Sequence, residues 1–300
     1  MTDILIIGGG PAGLTAAIYA ARAGKTVTLC EKEGMGGQIT HAHLVSNYPG
    51  IPEVTGTDLS DRLCAQAMDM GTEVEFTAVT RLSRRENGTF LAETEDGELT
   101  ARTVIFAGGA RPRPLAVEGE TRFVGNGVSY CALCDGAFFA GQDVAVVGGG
   151  SSALSDALFL AGICRSVTLI HRRDGFRAEP VLVEQARKME NIRILTGCTV
   201  KTLEGGDRLE GLTLEHRDGK TSAVAVSAIF VALGRVPECS LIADLTRLDE
   251  NGYAIATEDC GADAPGLYVA GDCRRKSVRQ LTTAVADGTV AATAACAFLG

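Results

Sequence analysis

The segment "ILIIGGGPAGLTAAIYAARAGKTVTLCEK" (residues 4–32) decides the fold, because it recurs as "VAVVGGGSSALSDALFLAGICRSVTLIHR" (residues 144–172). The two copies align without a gap, residue 4 with residue 144, an offset of 140. Each copy begins with an apolar run, passes through three glycines into an amphipathic stretch and ends with a second apolar run. This order predicts a strand, a tight turn, a helix and a second strand, which is the βαβ unit of a nucleotide-binding domain.

The glycines of each copy have a physical purpose. The first permits the tight turn, the second lets backbone N–H groups approach a pyrophosphate, and the third position packs the helix on the strand. The helix N-terminus then stabilises the phosphate charge. One such motif is weak evidence, but two copies in the same context favour two nucleotide sites. The predicted phosphate-binding residues are Gly8, Gly10 and Gly13 in copy one, and Gly148, Gly150 and Ala153 in copy two.

The two copies differ where the second strand ends. Copy one ends in Glu31, whose carboxylate can accept hydrogen bonds from a ribose diol. Copy two ends in "HRRDGFR" (171–177), and arginine is suited to phosphate by its fork of donors. We therefore expect FAD or NAD in copy one and a 2′-phosphorylated nucleotide such as NADPH in copy two; a solvated loop is the alternative for the basic run. The residues assigned to the second nucleotide's ribose phosphate are His171, Arg172, Arg173 and Arg177.

A close pair of cysteines, Cys131 and Cys134, precedes copy two and is followed directly by Asp135. A structural zinc site needs about four ligands. The chain has no second C-x-x-C, and it contains only four histidines. Two of them, His41 and His43, could pair as ligands, so zinc is a minor alternative. A purely structural disulfide is unusual in a cytosolic protein. The pair is therefore predicted to be a redox dithiol, and no bound metal is expected.

Composition limits the possible partners. The net charge of −9 and pI near 5.1 argue against a nucleic-acid partner. The N-terminus has no basic leader ahead of its first apolar run, and the apolar stretch at 223–234 is too short to span a bilayer. We expect a soluble, cytoplasmic protein without a membrane partner, and the length of 300 residues suggests two domains.

A series of motifs completes the pattern and resembles one family in its order. The motifs are "GGGPAG" (8–13), "GMGGQI" (34–39), "NYPG" (47–50), "CALCDG" (131–136), "GGGSSA" (148–153), "HRRDGFRAE" (171–179), "GLYVAGD" (266–272) and "RQLTTAVADG" (279–288). The chain resembles the bacterial low-molecular-weight thioredoxin reductases over essentially its full length. The most specific element is C-x-x-C-D-G just ahead of the second nucleotide motif.

The resemblance implies an α/β fold with two Rossmann-like nucleotide-binding domains of the three-layer ββα type, the second inserted in the first. It assigns residues 1–113 and 244–300 to a discontinuous FAD-binding domain. Residues 114–243 become an NADPH-binding domain that carries the cysteines. The resemblance also implies a homodimer.

The implied activity is NADPH-dependent reduction of the disulfide of thioredoxin, or of a thioredoxin-like protein, through FAD and the Cys131–Cys134 pair. By resemblance, Cys134 is the flavin-proximal sulfur and Cys131 attacks the partner disulfide. Asp135 donates and accepts the proton, although an ordinary turn residue is the alternative. The residues implied for FAD, besides the copy-one glycines and Glu31, are Gly37, Gln38, Asn47, Gly271, Asp272, Arg279 and Gln280.

Other functions use the same parts. A related flavin disulfide reductase fed by ferredoxin, or an oxidase of a small-molecule dithiol, could carry the same C-x-x-C. Such relatives tend to lose the basic 2′-phosphate motif, which is intact here at residues 171–177. A non-catalytic flavoprotein that senses redox state is a third possibility, and it predicts slow or absent turnover.

Overall fold

The protein is described by a computed structural model covering residues 1–42 and 44–300. Its helices are α1 (Pro11–Arg22), α2 (Gly56–Asp69), α3 (Glu120–Phe123), α4 (Ala132–Asp135), α5 (Ser151–Ala161), α6 (Pro180–Lys188) and α7 (Leu281–Leu299). Its strands are β1 (Thr2–Ile7), β2 (Val27–Cys30), β3 (Glu73–Glu75), β4 (Val79–Arg84), β5 (Phe90–Thr94), β6 (Gly97–Phe106), β7 (Ala110–Pro112), β8 (Val128–Ser129), β9 (Asp143–Val147), β10 (Ser166–His171), β11 (Ile192–Thr196), β12 (Cys198–Gly205), β13 (Leu209–His216), β14 (Thr221–Ala225), β15 (Ala228–Val231), β16 (Arg235–Pro237) and β17 (Leu267–Val269). Short 3₁₀ helices lie at Gly37–His41, Gly136–Phe139 and Ser240–Ile242.

The chain forms two compact units, the second inserted in the first. The first unit comprises Met1–Arg111 and Val236–Gly300, and the second comprises Pro112–Arg235. The first border therefore lies two residues, and the second eight residues, before the borders expected after 113 and 243. The second expectation was wrong because the chain rejoins the first unit at once: Cys239 and Ile242 are buried in that unit's core.

The first unit is built on a parallel sheet with the strand order β3-β2-β1-β6, and β17 also pairs with β6. Strands β4 and β5 extend the other edge of β6 in antiparallel fashion. Ile6 of β1 pairs with Leu29 and Ile105, and all three side chains are fully buried. Near-continuous apolar runs are typical of parallel strands that are covered on both faces, and α1 and α7 pack together against this sheet.

The second unit repeats this plan around a sheet of five parallel strands. Its parallel sheet has the order β11-β10-β9-β15-β8, and β12, β13 and β14 form a separate antiparallel sheet. Val146 of β9 pairs with Leu169 and Phe230, as Ile6 pairs with its neighbours in the first unit. Both copies of the repeated segment thus fold as strand, turn, helix and strand, and the predicted α/β fold with two Rossmann-like units is confirmed.

Helix α7 is long and apolar enough to cross a membrane by length and composition, with a mean hydropathy of 1.3 over its most apolar window. It is a longer apolar segment than residues 223–234, which include the end of β14 and all of β15. The helix packs on α1, where a Cβ added to Gly288 would lie 2.2 Å from the backbone oxygen of Ala12. It also carries the buried carboxylate of Asp287, so one of its faces is fitted to the first unit.

Candidate functional site

The turn after β1 is closed by backbone contacts that exclude side chains. The Gly8 N–H donates to the carbonyl of Cys30 at 2.9 Å. Gly8 has φ +110°, and a Cβ there would lie 2.4 Å from the Ala107 oxygen. A Cβ on Gly13 would lie 1.9 Å from the Gly8 oxygen. Glycine is required at both positions because the strand, turn and helix backbones touch.

The turn after β9 has the same construction in the second unit. The Gly148 N–H donates to the carbonyl of Ile170 at 3.0 Å, and a Cβ on Gly148 would lie 2.5 Å from the Ala232 oxygen. The third position of this glycine motif is Ala153, whose methyl group is fully buried. The two turns therefore differ in how closely the helix approaches the turn.

Both helices that follow these turns present bare backbone N–H groups. Gly10 and Gly150 directly precede α1 and α5, and neither has a side chain that could cap the helix. A Cβ added at either glycine would have no atom within 4 Å among the described residues. The first N–H groups of a helix have no partner within the helix and favour an anion. Each turn therefore fits a pyrophosphate that approaches the backbone closely.

The end of β2 places the Glu31 carboxylate beside the first turn. Its oxygens accept the N–H groups of Gly9 at 2.7 Å and of Glu33 at 2.8 Å. Gly37 comes to the same place, because its Cβ position lies 3.3 Å from the Gly10 Cα. A half-buried carboxylate held in this way can accept hydrogen bonds from ribose hydroxyls.

The loop after β17 brings Gly271 and Asp272 to the first turn of α1. Gly271 has φ +85°, and a Cβ there would lie 2.9 Å from the Ala12 Cβ. Arg279 holds the loop, since its Nε donates to the carbonyl of Asp272 at 3.2 Å and its guanidinium stacks on Tyr253 at 3.9 Å. These residues join the copy-one glycines and Glu31 in one region of the first unit.

Three of the residues expected to contact FAD are not brought into this region by any described contact. Gln280 is the N-cap residue of α7, and its backbone N–H donates to the Thr283 Oγ1 at 3.0 Å. Gln38 and Asn47 are exposed, and neither side chain forms a hydrogen bond with a described residue. That these three residues contact FAD therefore stays a prediction from their motifs.

No motif assigned a role to Asp287, although a single carboxylate in the apolar helix α7 is a signal that the sequence contains. It accepts hydrogen bonds from the Gly271 N–H at 3.0 Å, from Arg274 at 2.7 Å and from Lys276 at 2.9 Å. The side chains of Asp287, Arg274 and Lys276 are largely buried. The buried carboxylate is therefore stabilised by two cations and a backbone N–H group. Asp287 thereby ties the Gly271 loop to α7.

In the second unit, His171 fills the place that Glu31 occupies in the first. Its ring stacks on Phe176 with centroids 5.0 Å apart, and a Cβ on Gly149 would collide with the ring at 2.1 Å. Burial lowers the pKa of His171, and the neighbouring arginines lower it further. A neutral imidazole packed against the turn therefore supports the start of the basic loop.

The basic loop presents three arginines to solvent. Arg172, Arg173 and Arg177 are exposed, and their guanidinium groups have no hydrogen-bond or ion-pair partner among residues 1–42 and 44–300. The Arg177 N–H donates to the carbonyl of Gly149 at 2.8 Å, which fixes the loop beside the turn. Cations in this position fit a 2′-phosphate next to the pyrophosphate site.

One further residue, not identified from sequence, holds the basic loop. Arg217 follows β13 and pairs with Asp174 at 2.6 Å. It also donates to the carbonyl of Arg172 at 3.2 Å. The antiparallel sheet of the second unit therefore contacts the loop through one side chain. No motif marked Arg217, because its sequence distance from the loop conceals the contact.

The cysteine pair forms the predicted disulfide. Cys131 and Cys134 are joined with their Cα atoms 5.3 Å apart, and both are half-buried at the start of the short helix α4. Burial raises the pKa of Asp135, and a hydrogen bond from Ser129 lowers it in part. That bond joins the Ser129 Oγ and the Asp135 Oδ2 at 2.6 Å. A carboxyl group with a raised pKa beside a disulfide suits proton transfer.

Within the described residues, no three His, Cys, Asp or Glu side chains are grouped to hold a metal. His41 is exposed, and His43, the other histidine of the zinc alternative, lies outside the described residues. The zinc alternative therefore receives no support from the described part of the chain.

Comparisons with known proteins agree with this arrangement. Residues 2–288 match the family described as pyridine nucleotide-disulphide oxidoreductase. A bifunctional thioredoxin reductase/thioredoxin of Mycobacterium leprae is 40% identical over 97% of this chain, which spans 64% of that longer protein. A thioredoxin reductase of Listeria monocytogenes is 38% identical, with 96% of this chain and 91% of the relative covered. The crystal structure of thioredoxin reductase from Streptococcus pyogenes superposes with a TM-score of 0.95 at 36% identity, covering 100% of this chain and 98% of that one.

Proposed function

Because this chain belongs to the pyridine nucleotide-disulphide oxidoreductase family, we propose that it is an NADPH-dependent thioredoxin-disulfide reductase. The observation that carries the proposal is the Cys131–Cys134 disulfide, which is followed directly by the half-buried Asp135. The same chain has two nucleotide-binding turns, one beside the acidic Glu31 and the other beside the basic loop. Curated relatives that are named thioredoxin reductases, at 36–40% identity, support it.

The first unit is assigned to FAD and the second to NADPH. The α1 N-terminus and the Gly8–Gly13 turn would hold the FAD pyrophosphate, and Glu31 its ribose. The α5 N-terminus would hold the NADPH pyrophosphate, and the basic loop its 2′-phosphate. When bound, NADPH supplies a hydride to the flavin, and the reduced flavin supplies two electrons to the disulfide.

The chain's own cysteines and Asp135 then perform the exchange. The Cys131 thiolate attacks one sulfur of the partner disulfide, which forms a mixed disulfide and releases the other partner sulfur. The Cys134 thiolate attacks the Cys131 sulfur, restores the Cys131–Cys134 bond and releases the second partner sulfur. The two protons of the enzyme dithiol end on the two partner thiols, and Asp135 is the group placed to carry one of them.

The exposed arginines of the basic loop separate this function from its alternatives. A reductase fed by ferredoxin, or a dithiol oxidase, would have no use for three unpaired guanidinium groups beside a nucleotide turn. A redox-sensing flavoprotein would keep the nucleotide sites without turning over a disulfide. We therefore favour NADPH as the electron donor and a thioredoxin-like protein as the acceptor.

The test is thiol production from oxidised thioredoxin by the FAD-loaded protein with NADPH. We expect sustained turnover, and loss of turnover in both Cys131→Ser and Cys134→Ser. A Cys64→Ser variant serves as the control, since Cys64 is a half-buried free thiol of α2 in the first unit. Turnover that survives loss of either cysteine of the pair would contradict the proposal, as would failure of the wild-type protein to produce thiols.

The same resemblance leads us to propose a cytoplasmic homodimer. Sedimentation of the FAD-loaded protein at micromolar concentration tests the assembly. A mass of twice 31.2 kDa is expected, and a monomer at every concentration would contradict this part of the proposal.

A further inference from the structure

Ser129 stands at the centre of the hydrogen bonds around the cysteine pair. It is the last residue of β8 and is 6% exposed. Its Oγ lies 2.6 Å from the Asp135 Oδ2, 3.3 Å from the carbonyl oxygen of Cys131, and 3.1 Å from the Cys131 nitrogen. The Cys131 carbonyl also accepts the N–H of Asp135 at 3.1 Å. Serine, aspartate and the Cys131 peptide therefore form a closed set of contacts.

The direction of the hydrogen bonds around Ser129 depends on whether Asp135 carries a proton. A serine hydroxyl has one hydrogen to donate and can accept two bonds. The Cys131 N–H donates to Oγ in either state. When Asp135 is ionised, the serine hydrogen goes to its Oδ2, which gives a short charge-assisted bond. When Asp135 is protonated, the carboxyl can donate to Oγ, and the serine hydrogen can turn to the Cys131 carbonyl.

We propose that Ser129 is a positioning residue for the disulfide exchange: its hydroxyl holds the Asp135 carboxyl against the Cys131 peptide and reverses its hydrogen bonds as Asp135 gains or loses its proton. This rests on the proposed function for its purpose, although the hydrogen-bond set exists in the oxidised protein. Without the hydroxyl, the Cys131 N–H and the half-buried Asp135 carboxyl would both lose their partner.

The surroundings make Ser129 the principal polar influence on Asp135. The pKa of Asp135 is raised by burial and lowered by Ser129, without a further contribution from a charged group in the described chain. The other titratable groups on neighbouring elements are Asp156 of α5, which packs against α4, and the Tyr130–Glu120 pair beside Ser129. The reduced thiols of Cys131 and Cys134 add to these during turnover. Removing the Ser129 hydroxyl should therefore raise the pKa of Asp135 further.

The direct test is a ¹³C NMR titration of the oxidised protein labelled at the aspartate carboxyl carbons. The Asp135 resonance is assigned by its absence in Asp135→Asn. We expect its midpoint to move to higher pH in Ser129→Ala and to stay near the wild-type value in Ser129→Thr, which keeps a hydroxyl. An unmoved midpoint in Ser129→Ala, or an equal shift in both variants, would overturn the inference.

A second measurement connects Ser129 to the reaction. The rate of thioredoxin reduction against pH should fall by about 10-fold in Ser129→Ala, because one bond to a charged group is lost. The profile should also move to higher pH, and Ser129→Thr should restore it. A uniform loss without a shift of the profile would indicate a merely structural role and would contradict the inference. If thioredoxin is not reduced even by the wild-type protein, the proposed function fails, while the NMR titration still decides on Ser129.

Discussion

Copy one and copy two of the repeated segment have the same backbone and different chemistry at their ends. Gly8 and Gly148 make equivalent hydrogen bonds to the second strand and equivalent close approaches to the strand on the other side. At the end of the second strand, copy one has a carboxylate that accepts from its turn. Copy two has a histidine packed on its turn, and three exposed arginines follow it. Both copies have glycine at the first turn position, the third position changes from Gly13 to Ala153, and the residues that would contact a ligand differ.

The largest expected effect concerns the third turn position, which is Gly13 in copy one and Ala153 in copy two. In Gly13→Ala the new methyl group would meet the Gly8 oxygen at 1.9 Å. We expect loss of FAD from the purified protein and a decrease of about 3 kcal/mol in the free energy of unfolding. Flavin absorbance per chain and urea unfolding measure both effects.

The matched variant is Ala153→Gly in copy two, which creates space instead of a collision. It should keep its flavin and lose only about 1 kcal/mol of stability. A Gly13→Ala protein with normal flavin content and unfolding midpoint would show that the two turns do not differ as described.

The second difference between the copies is the basic loop that follows the second strand of copy two. In the Arg172→Ala/Arg173→Ala double variant, we expect the KM for NADPH to rise about 100-fold, because charge-assisted bonds to a phosphate are lost. The KM for NADH should not change, since NADH lacks the 2′-phosphate. Steady-state kinetics with both nucleotides check this, with Arg187→Ala on the exposed side of α6 as control. An equal rise for both nucleotides would contradict the assignment.

A third difference lies within the helices, where Asp156 of α5 aligns with the fully buried Ala16 of α1. Burial raises the pKa of Asp156 to about 6, opposed by Arg235. A folded-state pKa above the unfolded value of 3.8 means that stability is fully present below pH 3.8 and is lost as the pH rises through 6. Asp156→Asn should remove this loss.

Urea unfolding at a series of pH values measures the effect. Between pH 4 and 7, the stability of the wild-type protein should fall relative to Asp156→Asn by about 2 kcal/mol, after allowance for the partial exposure of the carboxyl group. Parallel stability curves for the two proteins would contradict the difference between the helices.

The smallest expected effect concerns Arg217, which holds the basic loop that follows copy two. Arg217→Ala removes the contacts to Asp174 and to the Arg172 carbonyl. We expect the KM for NADPH to rise about 3-fold, in line with the modest value of an exposed pair. Lys201→Ala breaks the Lys201–Glu215 pair of the same sheet and should leave the KM unchanged. An unchanged KM for NADPH in Arg217→Ala would show that Arg217 does not hold the basic loop.

The sequence was sufficient where local pattern determines structure. The glycine turns, the strands beside them and the Cys131–Cys134 pairing could all be predicted because each depends on residues close in sequence. The second domain border was misplaced because residues 236–243 carry no composition change, although Cys239 and Ile242 are buried in the first unit.

The missed residues share one physical cause. Each of them acts through a contact that only the fold creates. Asp287 contacts the Gly271 loop, Arg217 contacts the basic loop after β10, and Ser129 contacts the Asp135 carboxyl. Ser129 is close to Asp135 in sequence, but only the geometry of β8 and α4 places its hydroxyl on the carboxyl group. In contrast, Gln280 was assigned to the cofactor by its motif, and its described contacts are those of a helix cap.

The central claim is that electrons pass from NADPH through FAD to the Cys131–Cys134 disulfide. An anaerobic titration of the FAD-loaded protein, followed by flavin absorbance, tests it most directly. We expect rapid bleaching with NADPH and a weak response to NADH. The wild-type protein should consume one equivalent of NADPH for the disulfide in addition to one for the flavin, and Cys134→Ser only the latter. Absence of bleaching with either nucleotide, or equal consumption by both proteins, would contradict the account.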